Sequence, residues 1–355
     1  MANKERQQHI LALVMLSFTA LVWGVGFLFS DLLLQNGFND LPITLNALRF
    51  SVAAVIVAII FCRKVKLTKN TILYGVVGGA MLFGGFALQL VGLKYTTPAS
   101  CGFFTASYVL YVPFIAWIFL KKRPSLLVVL GVIVALAGLA ILNINVESPA
   151  KGDNVVLGNM LTLGGSLFFA AQIVWIDSAL KNNRADSSSL TVVQIVVCAL
   201  LFIVSSLTFE SGNYADFQTV QWEKCWWLLA IVSLLGTAFA YFSQTFAQSK
   251  LSPTETSIII GCESPIGAVC SVIAGREALT WQICVGGLFV LAAVVLIEIL
   301  PTVINKRQAV SENTQSDVQE NYSATQTKEK FTAESANQYK VKKTQNKQKQ
   351  RINVK

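Results

Sequence analysis

Apolar runs of roughly twenty residues, separated by short polar breaks, repeat along most of the chain, and about twenty mostly apolar residues are what a helix needs to cross a bilayer. Ten segments answer to that length: 10–30, 43–62, 71–93, 98–120, 126–145, 156–178, 190–209, 226–249, 253–274 and 281–300. The fourth and ninth carry proline and polar residues inside the apolar run. The first begins after Lys4 and Arg6 and extends from Ile10 through Phe29. A signal-peptide apolar region is about 7–15 residues, so this one reads as a retained span. The pattern predicts an all-α, polytopic membrane protein of ten transmembrane helices.

The breaks are short, so successive helices run antiparallel. Placing the N-terminus in the cytoplasm puts fourteen loop Lys and Arg inside, among them Arg63, Lys64, Lys121, Lys181, Arg184 and Lys250, against four outside: Lys94, Lys151, Lys224 and Arg276. Positive charge accumulates on the cytoplasmic side. Ten spans with both termini inside therefore agree with the loop charge, as in an inner cell membrane. Residues 1–9 form a cytoplasmic N-terminus. Residues 308–355 are rich in Gln, Asn, Ser, Thr and Lys and read as a disordered basic tail, whose Lys run suits anionic headgroups or plain solvation.

A shift of 155 residues lays the end of the first half on the end of the second. Pro98 meets Pro253, Gly131 meets Gly286 and Gln89 meets Gln244. A shift of 146 matches the starts, with Trp23 on Phe169, Gly24 on Ala170 and Asp31 on Asp177. Five spans per copy is odd, so the second copy enters the bilayer from the opposite side. Residues 10–146 and 155–301 are expected to form two inverted five-helix repeats, an arrangement that gives carriers alternating access.

Composition narrows the function. Hydrophobic residues make up 54% of the 355 and charged residues 13%, half the usual soluble share of about 25%. Mean hydropathy is +0.58. The net charge of +9 sits in loops and tail without a basic patch interleaved with aromatics, which argues against nucleic acid. The seven cysteines form no CxxC pair and no cluster with His9, the only histidine. No metal site, disulfide framework or cofactor is expected. A membrane enzyme would need facing acids, a histidine or metal cluster, or a nucleophile–base pair, and the lone terminal histidine speaks against one.

Several short strings carry a family resemblance. They are Trp23-Gly24; Pro42 before Arg49-Phe50; Gly92-Leu93-Lys94-Tyr95-Thr96-Thr97-Pro98-Ala99; its counterpart Ala247-Gln248-Ser249-Lys250-Leu251-Ser252-Pro253-Thr254; Glu263-Ser264-Pro265; and Gly275-Arg276-Glu277-Ala278-Leu279-Thr280. In this order across two five-span halves, the chain resembles the EamA family of the drug/metabolite transporter superfamily over residues 10–300. It departs from the family at Lys121-Lys122-Arg123-Pro124, where an acidic residue is common, and Pro113 stands one turn later than the second-half proline would place it. The resemblance implies a ten-helix bundle with a central cavity open to one side at a time. It would move metabolites, amino acids or drug-like solutes by facilitated diffusion or exchange. No GxxxxGK[ST] loop is present.

Polar groups inside hydrocarbon are costly and tend to mark a pathway. Glu263 falls near the middle of the ninth segment. It is a candidate for a cationic group or a coupling proton, or else a hydrogen-bonded tie between helices. Arg49, in the second, is expected to gate or support structure, to snorkel, or to pair with an acid such as Asp31. Gln89 and Gln244 occupy matching places and offer amides to a polar solute, or to a neighbouring helix. Trp23, Tyr108 and Tyr111 are candidates to line an aromatic cavity, or to pack. Trp222, Trp226 and Trp227 read as an interfacial belt. The glycines of the third segment, Gly75 to Gly85, read as close helix contacts, and Pro98, Pro113, Pro253 and Pro265 as breaks or kinks. A nucleotide-sugar or phosphorylated-metabolite exchanger would need several cations in the membrane, and Arg49 stands alone. The partners expected are a small-molecule substrate, the bilayer and a coupling proton.

Overall fold

The computed structural model describes residues 2–121, 126–142, 154–275, 278–296 and Leu300. The basic tail and the loop residues Lys122, Arg123, Lys151 and Arg276 lie outside them. The described secondary structure is all helical. Eight stretches are long and apolar enough to cross a membrane: Arg6–Phe38, Pro42–Phe61, Lys69–Tyr95, Pro98–Phe119, Val155–Lys181, Ser187–Phe209, Trp222–Gln248 and Glu255–Ile273. The fifth and tenth expected spans correspond to shorter apolar helices, of 17 residues at Leu126–Leu142 and 14 at Trp281–Val294.

In chain order the helices are α1 (Ala2–Leu33), α2 (Pro42–Phe61), α3 (Lys69–Tyr95), α4 (Pro98–Thr105), α5 (Tyr108–Leu120), α6 (Leu126–Leu142) and α7 (Val155–Lys181). They continue with α8 (Ser187–Phe209), α9 (Trp222–Ser233), α10 (Ala240–Gln248), α11 (Pro253–Gly261), α12 (Glu263–Ile273) and α13 (Trp281–Val294). A π-helical turn, Leu34–Phe38, follows α1, and another, Leu234–Phe239, joins α9 to α10. Starts are set by short polar caps. Thr97 and Ser252 accept from the backbone N–H of Ser100 and Glu255, with Pro98 and Pro253 at the first helical turn, where a missing N–H costs nothing.

Neither the fourth nor the ninth expected span is one continuous helix. The fourth breaks at Ala106-Ser107 and the ninth at Cys262. At both breaks the backbone tightens to bonds three residues back, Ser107 to Phe104 and Cys262 to Ile259. Pro265 has no N–H for the carbonyl of Gly261, and Pro113 none for Val109, which weakens each helix beside its break.

Packing follows the glycines. Along α3 and α7, a Cβ on Gly92 would stand 2.7 Å from the Gly158 carbonyl oxygen, and one on Gly165 would stand 2.8 Å from the Gly85 carbonyl oxygen. The two backbones thus touch at points one heptad apart. Helix α3 also packs on α8, α2 on α8, α1 on α10 and α12, α4 on α12, α5 on α7, and α6 on α13. The largest core cluster sets Phe50, Phe86, Phe169 and Phe202 together, with Phe50–Phe86 and Phe86–Phe169 ring centroids 5.0 and 5.1 Å apart. Large apolar side chains such as Val14, Val55, Ile59 and Leu207 point outward, which suits lipid.

Candidate functional site: a central aromatic and polar cavity

Helices α1, α2, α3, α4, α5, α7, α9, α10, α11 and α12 together wall a cavity that includes Trp23, Arg49, Gln89, Tyr108, Gln244 and Glu263. Six of the seven cavity candidates offered by the sequence therefore meet in one place, and Tyr111 is the exception. The empty space, mouth included, is about 680 Å³. At one end its lining reaches Phe29, Ser30 and Ile231, which are partly exposed; deeper, Gln172, Ile173 and Gln244 are buried. That end of the lining lies beside the part of the bundle that carries Trp222, Trp226 and Trp227, with Phe29 in ring contact with Trp227. Of these, Trp226 is 64% exposed, whereas Trp222 packs on Phe38 and Trp227 on Phe29.

Arg49 is buried, at 8% exposure. Its Nε donates to Thr237 Oγ1 at 2.7 Å and its Nη2 to the Gly236 carbonyl at 3.1 Å. The guanidinium lies 4.7 Å from the Phe86 ring centroid, a cation–π contact. Pairing with Asp31 is not what the structure has: the Arg49 partners are neutral, and Gln35 Nε2 donates to Asp31 Oδ2 at 2.7 Å. The reason is the π-helical turn. There the Ala240 N–H goes to the carbonyls of Leu235 and Thr237, leaving the Gly236 oxygen free of its usual helical donor. Arg49 and Trp23 Nε1, at 2.7 Å, donate to that oxygen instead.

Glu263 is 3% exposed and opens α12 directly after the break at Cys262. Tyr108, the first residue of α5 after the matching break, donates its hydroxyl to Glu263 Oε1 at 3.1 Å. The two are 155 residues apart, the offset that superposes the ends of the two halves. Gly24 brings α1 against this point, since a Cβ there would lie 2.7 Å from the Glu263 carbonyl oxygen. The Trp23-Gly24 pair thus supplies a ring to the cavity and a close backbone approach beside it.

Gln89 and Gln244 both line the cavity but bond differently. Gln89 Nε2 donates to Thr105 Oγ1 at 3.0 Å, whereas Gln244 Nε2 donates to Gln172 Oε1 at 3.2 Å. Tyr111 is not among the lining residues and packs at the edge of the core. Sequence reasoning missed Gln172, Tyr241, Thr105 and Phe86. Gln172 carried a signal, an amide in the middle of an apolar run. Phe86 and Tyr241 did not, because any span contains such rings. Among the described residues no three His, Cys, Asp or Glu stand together as a metal site.

A helical membrane bundle enclosing a mixed aromatic and polar cavity, with one buried cation and one buried carboxyl in its wall, is the architecture of a membrane transporter. The chain belongs to the EamA-like transporter family, whose profile matches it twice, over residues 10–144 and 156–299. It is 28% identical over 289 residues to an uncharacterized transporter of Archaeoglobus fulgidus, covering 80% of this chain and 84% of that one. It is 24% identical over 264 residues to the uncharacterized transporter YyaM of Bacillus subtilis, covering 71% and 83%. A solved crystal structure shares the fold, with a TM-score of 0.58 at 16% identity, over 81% of this chain and 98% of that one.

Proposed function

We propose that this transporter is a secondary carrier in which two inverted five-helix halves alternate around the central cavity, moving a small metabolite, amino acid or drug-like solute. The observation that carries the reading is the Tyr108–Glu263 bond. It joins equivalent positions of the two halves, each just past a helix break, inside the cavity wall. Residues related by an internal two-fold axis meet only near that axis, and carriers of inverted repeats bind solute there.

The packing supports the same symmetry. Exchanging the halves turns α4 and α5 against α7 into α11 and α12 against α1, and all of these contacts exist. The same exchange turns α3 against α7 into α9 and α10 against α1, and it maps the α2–α8 and α6–α13 contacts onto themselves. The two separate matches to the family profile agree with this division. In this reading α6 and α13 complete ten spans, the termini are cytoplasmic, and the cavity faces outward. One cation in the cavity wall suits a single carboxylate or dipole better than a phosphate, which calls for several donors. Glu263 is the group placed to exchange a coupling proton or to meet a cationic group.

The test is flux in sealed proteoliposomes without ATP, across a panel of amino acids, aromatic metabolites and cationic drugs. Movement of at least one solute down its gradient is expected, and Glu263→Gln is expected to reduce that flux or flatten its dependence on pH. A protein that is folded and inserted yet moves nothing on the panel would count against the carrier. Unchanged flux in the Gln variant would remove Glu263 from the mechanism.

A further inference from the structure

The cavity described above has the partly exposed residues Phe29, Ser30 and Ile231 at its tryptophan end. At its floor, on α7 and α10, the Gln244–Gln172 bond begins a ladder. Gln172 Nε2 donates to Gln194 Oε1 at 3.0 Å, Gln194 Nε2 donates to Thr245 Oγ1 at 3.1 Å, and Thr245 Oγ1 donates to the Tyr241 carbonyl at 2.7 Å. Three amides from three helices are thus strung in one direction, each passing an N–H to the next acceptor.

On the far side lies a second opening, a groove whose lining includes Lys66, Arg184, Ser187, Ser249 and Lys250. Lys66, Arg184 and Lys250 are exposed, so water reaches the groove. Ladder and groove share a residue. Ser187 Oγ, in the groove wall, donates to the carbonyl of Thr245, whose hydroxyl holds Gln194. From Gln244 at the cavity floor to Ser249 in the groove is five residues, about 7.5 Å of helix rise.

The material between the two openings is polar and incompletely bonded. Gln248 Nε2 donates to the Ile173 carbonyl at 2.9 Å. The side-chain oxygens of Gln244 and Gln248, one turn apart on α10, are buried without a hydrogen-bond partner among the described residues. A buried acceptor left unmade is expensive. A seam that only had to hold helices together would resemble the one between α3 and α7, where glycines bring backbone to backbone. An amide seam with spare acceptors fits a surface that water wets during part of a cycle.

We propose that the basic groove is the second mouth of the solute path and that the Gln172–Gln194–Gln244 ladder is the gate that closes it. The proposal rests on the carrier reading. When α10 parts from α7 and α8, the three amides exchange one another for water, and Gln248 becomes the wall of a channel running from the cavity floor to Ser187.

Side-resolved thiol labelling tests it. The seven native cysteines are replaced, and single cysteines are introduced as Gln248→Cys and, at the cavity mouth, Ser30→Cys. Reconstituted vesicles of known orientation are treated from each side with the membrane-impermeant reagent 2-sulfonatoethyl methanethiosulfonate. Ser30→Cys should react from the tryptophan side and Gln248→Cys from the groove side. Adding Gln194→Leu should raise the rate at position 248 about fivefold, the equivalent of one net hydrogen bond. Gln194→Asn, which stays polar but falls short of Thr245, should do the same if the leucine variant fails to fold.

Reaction at position 248 from the tryptophan side would make the seam a wet crevice of the cavity and overturn the gate. Reaction from neither side, with Ser30→Cys labelling normally, would overturn it too. The flux assay above decides the carrier reading separately.

Discussion

Arg49 carries a charge into the bundle with no carboxylate bonded to it among the described residues, and an irregularity in another helix makes that tolerable. The π-helical turn frees the Gly236 carbonyl, Thr237 adds a hydroxyl, and Phe86 supplies a ring face. The rigid, planar guanidinium fork matches these partners, and an ammonium on a flexible stem lacks that geometry. Arg49→Lys is therefore expected to cost about 1.5–3 kcal/mol, the range for hydrogen bonds to a charged group, read as a lower melting temperature in detergent. A melting curve indistinguishable from the parent would refute this account of Arg49. Glu210, just past α8, does comparable work at the other end of a helix. Its carboxylate accepts from the N–H groups of Ile43 and Thr44 at 2.8 and 2.7 Å and from the Thr44 hydroxyl at 2.7 Å. Leu41, at the cap position of α2, offers no side-chain bond, so a residue 166 positions away caps the helix. Glu210→Ala should destabilise the protein by about 1–3 kcal/mol, and thermal unfolding that matches the parent would show that the cap is dispensable. Nothing in the sequence pointed to Glu210, because the group it serves is distant along the chain.

At the scale of elements, the breaks and the glycine seam teach different lessons. Pro265 stands three residues after Cys262, whereas Pro113 stands six after Ser107, yet the two breaks fall 155 residues apart, at Ser107 and Cys262. Proline weakens each helix, but the shared register places the break, and there the residues that follow, Tyr108 and Glu263, bond each other. The α3–α7 seam was legible as a crowd of glycines in the third apolar run. Its partner glycines in α7, Gly158 and Gly165, became meaningful only when the helices were laid side by side. A methyl group on Gly92 would stand 2.5 Å from Thr162 Oγ1 and 2.7 Å from the Gly158 carbonyl. Overpacking of this kind costs about 1–3 kcal/mol. Gly92→Ala should lower thermal stability by that amount, while Gly212→Ala, which meets nothing within 4 Å, should leave it unchanged. Equal melting points for the two variants would mean that the seam yields to an added methyl. Gly37 is a different case. Its φ of +117° and the Val220 Cα only 2.6 Å from an added Cβ make it the pivot after α1, a role set by backbone angle and crowding together.

For the whole molecule, the proposed inverted repeat makes a prediction that no side chain can make. Reporter tags on the two termini should both be found on the cytoplasmic face, where the loop charge places them. Tags on opposite faces would mean an odd number of spans and would end the two-fold reading. The sequence by itself determined that this chain lives in lipid, that its apolar runs are helical, that its halves resemble each other, and that Trp23, Arg49, Gln89, Tyr108, Gln244 and Glu263 are unusual for their surroundings. These are local or periodic properties, written in hydropathy, caps and spacing. Tertiary structure alone decided that the six share one cavity, that Arg49 rests on a π-helical carbonyl and not on Asp31, that Glu210 caps a remote helix, and that glutamines of α7, α8 and α10 bond in a ladder. Those outcomes depend on which helix faces which, and a hydrogen-bond partner more than a hundred residues away leaves no mark on the residues near either end.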